Sequence, residues 1–206
     1  MSDIDVWRAL ADELGLEFKE GLRGFLESPT ALSMFGRDAP PPSVLDNPMV
    51  QALLEKVFLG AATGTYKDYE VHLFRGSKSS SSSNKANYYI GAVLLFARRL
   101  GVEFEMRPLT FSWRLGRLFS PGRYVQSGYR SFDGVMGVKS SSPMQTRRLL
   151  ASKETRDAVL SFAANTHEPV VSEKGVRCKA KGSTISSEEA RTLLDQLVEV
   201  ARALCP

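Results

Sequence analysis

The chain has two histidines, His72 and His167, and neither stands in a metal-binding spacing. Histidine is the usual general base near neutral pH, and alternation along a strand would put His72 on the same side as Glu70. Glu103 and Glu105 share that relation, and two carboxylates on one strand face are how a general acid and base could be arranged. A solvated sheet face gives the same alternation without any chemistry. Asp133, between Phe132 and Gly134, suits a turn or the capping of backbone amides better than catalysis. An enzyme would have to assemble its site from distant carboxylates such as Glu70, Glu103 and Asp133.

The motifs of well-defined chemistries are missing. No Gly-x-Ser-x-Gly elbow occurs, and neither does a Gly-x-x-x-x-Gly-Lys-Ser/Thr loop or a Gly-x-Gly-x-x-Gly fingerprint. Cys178 alternates inward with Val176 and Ala180, and Cys205 is one residue from the end. Neither has an activating histidine nearby in sequence. No cofactor or metal is implied, and the residues favour binding over catalysis.

The most distinctive set is cationic. Arg98, Arg99, Arg107, Arg114, Arg117, Arg123 and Arg130 are interleaved with Trp113, Phe119, Tyr124 and Tyr129. Arginine, tryptophan and tyrosine are the common anchors of protein interfaces. Guanidinium also pairs with phosphate and aromatic rings stack on bases, so single-stranded nucleic acid is the alternative ligand. A third reading keeps the rings in the core and the arginines in solvent. Residues 98–156 carry net charge +8, against −6 for residues 1–70. Lys174, Arg177, Lys179 and Lys181 read more simply as charges protecting an exposed strand.

These residues need elements to position them. Ile4, Trp7, Leu10, Ala11 and Leu14 predict an amphipathic helix over about 3–14. The span 28–46, with Pro40-Pro41-Pro42, predicts a linker, and Asn47-Pro48 predicts a second helix ending at Gly60. Beyond Gly60 the period becomes alternating: a strand leads to a turn at Lys67-Asp68 and a second strand from Tyr69. The serine-rich span 76–86 has no large apolar residue, which predicts a mobile loop. Further strands are expected at 88–97, 102–106 and 129–138, although Ile90, Val93, Leu94 and Ala97 also fit a helical stripe, with a short helix over 111–119. Helical turns follow at 144–150, then a helix opened by Ser152 and a hairpin about Lys174-Gly175. Ser186 and Glu189 form a capping box before a closing helix with Leu193, Leu194, Leu197 and Val198 inward.

The run from Gly128 to Val138, containing Phe132-Asp133, then Arg147-Arg148-Leu149-Leu150, a hairpin and a closing helix, resembles a group of uncharacterised bacterial α+β proteins. In that group a Phe-Asp pair opens a strand and a Leu-Leu pair sits in a helical turn. The resemblance spans about residues 58–206 and implies a fold, with no activity to carry over.

With 43% hydrophobic residues the chain can bury one sizeable core, so a single globular domain over 1–206 is expected. Its fold class is α+β, with an antiparallel sheet of five to seven strands covered by helices. The acidic start and the longest apolar run, about ten residues, argue against a secretory signal and a membrane span. Two cysteines fit a reducing cytoplasm. The functional expectation is a noncatalytic protein-interaction or adaptor module, with a protein partner and a possible homo-oligomer. Nucleic acid or another anion bound over 98–130 is the alternative.

Overall fold

The computed structural model describes residues 3–20, 60–80, 83–98, 100–119, 121–180 and 184–205; side chains are described except at 76–80, 83–88, 115, 117–119 and 121. The expected linker 28–46 and the helix after Asn47 lie outside the described residues. The chain divides into two compact units, Met1–Val93 with Ala180–Leu194, and Leu94–Lys179 with Asp195–Pro206.

In the first unit, helix α1 (Asp3–Leu14) is followed by β1 (Glu17–Glu20), β2 (Gly60–Tyr66), β3 (Tyr69–Ser80) and β4 (Ser83–Leu95), which enters the second unit at Leu94. The strands are ordered β1-β2-β3-β4. Lys67 and Asp68 both have positive φ, 48° and 70°, the geometry of a two-residue hairpin turn whose twist matches its flanking strands. One sheet face is apolar: Ala62, Val71 and Leu73 are fully buried. Helix α1 packs there with Trp7, Leu10, Ala11 and Leu14 inward, and Leu16 lies against Gly64.

The second unit contains β5 (Phe104–Pro108), α2 (Phe111–Phe119), a 3-10 turn (Pro121–Arg123), β6 (Tyr124–Val125), α3 (Arg130–Asp133) and β7 (Met136–Ser140). Then come α4 (Pro143–Leu149), α5 (Lys153–Asn165), β8 (His167–Ser172) and β9 (Gly175–Lys179). Its strands are ordered β9-β8-β5-β7-β6, and the β9-β8, β8-β5, β5-β7 and β7-β6 ladders are antiparallel. Helix α6 (Ser187–Leu204) opens in the first unit and closes in the second.

Phe104, Met106, Met136, Val138, Val171, Val176 and Cys178 alternate onto one buried face of the second unit's sheet. Phe132, Val159, Phe162, Leu197 and Ala201 are among the buried helical side chains. Ser152 caps α5 by accepting from the Thr155 amide at 3.3 Å, and the Thr155 hydroxyl donates to the Ala203 carbonyl at 2.8 Å. At the start of α6 the Ser186 amide donates to the Glu189 carboxylate at 2.8 Å, and the Glu189 amide returns a bond to Ser186 Oγ at 3.2 Å. The expected capping box is present.

The α+β class with antiparallel pairing stands, but the described residues hold nine strands, not five to seven. The two additions are β1 and β6, four and two residues long, too short for alternation to reveal them. The serine-rich span expected as a loop is mostly strand: β3 runs to Ser80 and β4 resumes at Ser83. The stretch 129–138 is not one strand. Residues 130–133 are helical and the strand starts at Met136, so Phe132-Asp133 precedes the strand instead of opening it. No helix among the described residues is long and apolar enough to cross a membrane.

Candidate functional site

Strand register in the second unit decides which side chains share its other, polar face. Glu105 pairs with Lys139 on one side and Ser172 on the other, and Arg107 pairs with Gly137. Lys139 in turn pairs with Tyr124, and Val170 with Arg177. Paired residues point to the same side of a sheet. Continuing the Glu105–Ser172 and Met106–Val171 register by one residue sets Val170 between Arg107 and Arg177. Tyr124, Lys139, Glu105, Arg107 and Arg177 therefore occupy one face.

Helix α2 closes one end of this face. A Cβ placed on Gly137 would lie 2.5 Å from Trp113 Cε3, so only glycine lets the indole sit directly on the strand. The ring meets Tyr124 edge to face, with centroids 5.7 Å apart and planes at 89°. Lys139 Nζ lies 4.5 Å from the Trp113 ring centroid and 5.2 Å from that of Tyr124. The ring quadrupoles attract the ammonium and fix its position.

The charges on this face are not balanced. Arg107 is ion-paired with Glu105, with Nη2 donating to Oε2 at 3.0 Å and Nε 2.8 Å from Oε1 but out of hydrogen-bond alignment. The Arg177 guanidinium, half-buried, makes no hydrogen bond or ion pair among the described residues. Burial first, and then the charge of Arg107, push its pKa down, against the opposing pull of Glu105. Lys179 is paired with Glu168.

Other arginines line the surface nearby in sequence. Arg98, Arg114, Arg123 and Arg130 are exposed and make no ion pair among the described residues. Arg99 lies outside the described residues, as does the side chain of Arg117. Large apolar side chains are exposed in the same stretch: Phe111 at 77%, Met144 at 69%, Val135 at 49% and Tyr129 at 41%. Val135 and Phe111 flank one end of the β5–β7 ladder, where Leu109 N donates to Val135 O at 2.8 Å. The Arg147 Nε donates to Gln126 O at 3.1 Å, which ties α4 to the loop before α3. The buried Arg156 lies with Cζ 3.3 Å from the Tyr129 ring centroid, and it donates to the carbonyls of Leu150 and Ala151 at 2.6 and 2.8 Å. Arg156 is thereby a brace for the end of α4.

Of the carboxylates considered for chemistry, Glu70, Glu105 and Asp133 have local partners, whereas the Glu103 carboxylate, one residue before β5, has none among the described residues. Asp133 accepts from the amides of Ser127 and Gly128 at 2.9 and 3.1 Å, the backbone-capping role its neighbours suggested. In the first unit Glu70 lies 3.2 Å from His72 Nε2, as alternation implied. The pair lines a polar cleft of about 500 Å³ with Glu17, Lys19, Thr63 and Thr65. His72 is 1% exposed, and its Nδ1 is buried without a hydrogen-bond partner. Burial lowers its pKa, and this outweighs the opposing effect of Glu70. The imidazole is thus neutral at pH 7, donating through Nε2 to the carboxylate. With Nε2 engaged and Nδ1 enclosed, neither nitrogen is presented to a molecule in the cleft.

Buried Cys178, which bonds to Thr166, has a thiol pKa pushed up by burial to about 12, so it is unreactive at neutral pH. No group of three or more His, Cys, Asp or Glu side chains among the described residues is placed to hold a metal ion.

Among the expected interaction residues, Arg107, Trp113 and Tyr124 come together on the polar face, and Arg98, Arg114, Arg123 and Arg130 are exposed. Sequence reasoning missed Lys139 and set Arg177 aside. Their signal is pairing register, which residue types alone do not carry.

No family model matches the chain, and no curated protein matches it. Among solved structures it is similar to the mycobacterial trehalose monomycolate transport factor A, TtfA, with a TM-score of 0.55 and 10% sequence identity, over 98% of this chain and 94% of that one. At this identity the likeness extends to the fold alone.

Proposed function

We propose that the chain is a noncatalytic interaction module that holds an acidic segment of a protein partner on the arginine-rich surface of its second unit. The observation that carries this reading is the coincidence of unpaired arginines with exposed apolar side chains. Arg114, Arg123 and Arg130 have no ion-pair partner among the described residues, and Phe111, Val135 and Met144 are exposed in the same stretch, with the open side of Tyr129 beside them. Apolar side chains supply buried area and the arginines supply charge complementarity, which speeds encounter and selects the partner.

Within residues 107–152 the only acidic side chain is Asp133, and it is occupied by backbone amides. No intramolecular carboxylate from this stretch competes for the arginines. A single-stranded nucleic acid would need free rings for stacking. Trp113 and Tyr124 are half-buried, packed on each other and covered by Lys139, and Tyr129 is stacked by Arg156, so Phe111 is the one ring of the stretch, among the described residues, that is open for stacking, which supports a protein ligand over a nucleic acid.

The test is affinity isolation of the tagged chain from its native lysate, with and without nuclease, repeated with R114E/R123E/R130E. A stoichiometric acidic protein that survives nuclease and is lost with the triple variant supports the reading. Nucleic acid as the sole ligand, lost with nuclease, refutes it.

A further inference from the structure

We propose that the polar face of the second unit's sheet holds a phosphate group between the guanidiniums of Arg177 and Arg107, at a site independent of whichever protein binds the outer surface. Three observations converge on it. The first is register: Arg107 on β5 and Arg177 on β9 are separated only by Val170 on β8. Two strand spacings put their Cα atoms roughly 9–10 Å apart, a span that two arginine side chains can bridge from either side. Val170 is only 8% exposed although it lies on the polar face.

The second observation is charge. Arg107, Arg177 and Lys139 contribute three positive charges and Glu105 one negative, leaving a local charge of +2. A phosphate monoester carries about −1.5 to −2 at pH 7 and would neutralise it, whereas a single carboxylate would not. The third is unused donors. Glu105 accepts from Arg107 Nη2 and leaves the Arg107 Nε without a hydrogen-bond partner, while the whole Arg177 fork is without a partner among the described residues. Guanidinium binds phosphate oxygens through paired N–H donors, and an arginine left half-buried beside another cation is held at a cost that such an anion removes. Access is open: the side chains of Arg107 and Glu105 are 40% and 36% exposed. The Trp113–Tyr124 pair fixes Lys139 on the same face, on the strand next to that of Arg107.

The experiment titrates the full chain with inorganic phosphate, and separately with glycerol phosphate, against sodium chloride at matched ionic strength. The Nε–Hε resonances of Arg177 and Arg107 are followed by NMR. The expected result is a saturable shift of both resonances with either phosphate and none with chloride. R177M should abolish it, R177K should weaken it about tenfold because the ammonium lacks the fork, and R114M should leave it unchanged. Tighter binding of glycerol phosphate would assign the site to an ester; equal binding would assign it to the free anion. No shift with either phosphate, an equal shift with chloride, or unaltered binding by R177K would overturn the proposal. If R177M does not fold, the R177K comparison decides.

Discussion

Substituting Gly137 by alanine tests the packing that builds the polar face. The new methyl carbon would lie 2.5 Å from Trp113 Cε3, 3.1 Å from Cζ3 and 3.4 Å from Leu109 Cδ2. Carbon atoms at optimal contact stand about 3.5–4.0 Å apart, so the indole must retreat by roughly 1 Å. Forcing an extra carbon into a packed site costs about 1–3 kcal/mol. Alanine recovers about 0.4–1 kcal/mol by restricting the unfolded chain. Loss of the edge-to-face contact with Tyr124 adds about 0.5–1.5 kcal/mol, and loss of the Lys139 contact about 0.5–1 kcal/mol. The balance is a destabilisation of about 1–5 kcal/mol, which for a chain of this size lowers Tm by roughly 2–20 °C. Urea unfolding followed by tryptophan fluorescence and by far-UV circular dichroism gives both the stability and the environment of the indole. W113F in the same assay separates loss of the ring from loss of the fit. An unchanged or higher midpoint for G137A, with unshifted emission, would refute the placement of Trp113 on β7.

Three further outcomes are expected. D133A removes the acceptor of the Ser127 and Gly128 amides, so stability should fall by about 1–3 kcal/mol and those two amides should exchange faster with solvent; protected amides in the variant would contradict the capping role. His72 is buried neutral with a lowered pKa, so the unfolded chain takes up a proton that the folded chain resists. Stability should therefore decline as pH falls through about 6.5 and level off below the folded-state pKa. In H72F this component of the urea midpoint's pH dependence should vanish, and an identical profile would exclude His72 as its source. Cys178, with its thiol pushed up to about 12, should resist a disulfide reagent at pH 8 in native protein and react only on unfolding, while half-buried Cys205 reacts first. Rapid native labelling of Cys178 would show that β9 is less enclosed than described.

Much of the framework was legible because local chemistry announces itself. The Ser186–Glu189 box, the Lys67–Asp68 turn and the α1 stripe each depend on residues close in sequence. Strand β4 was legible only in part, because Ile90, Val93, Leu94 and Ala97 fit a helical stripe as well as a strand and pairing decides between them. What escaped depends on partners. β1 and β6 are strands only because β2 and β7 pair with them. The serine-rich ends of β3 and β4 lack apolar side chains to betray them, since a ladder is built from main-chain groups that every residue other than proline supplies. Phe132-Asp133 reads as strand by composition, yet the Asp133 carboxylate draws the amides of residues 127 and 128 into a loop that a helical turn completes.

The candidate site divides in the same way. Its arginine-rich character is written in composition, and Arg107, Trp113 and Tyr124 were identifiable from it. The placing of Arg107 and Arg177, seventy positions apart, on either side of Val170 follows from the β5–β8–β9 register, and the place of Lys139 follows from Gly137 admitting the indole beside it.

The most direct test of the interaction reading is the salt dependence of binding between the purified chain and the acidic protein isolated with it, measured by calorimetry for the native chain and for R114E/R123E/R130E. The account predicts affinity that falls with rising salt, and a triple variant that binds weakly with a flattened salt response while its circular dichroism is unchanged. Salt-independent binding, or a triple variant indistinguishable from the native chain, would contradict it.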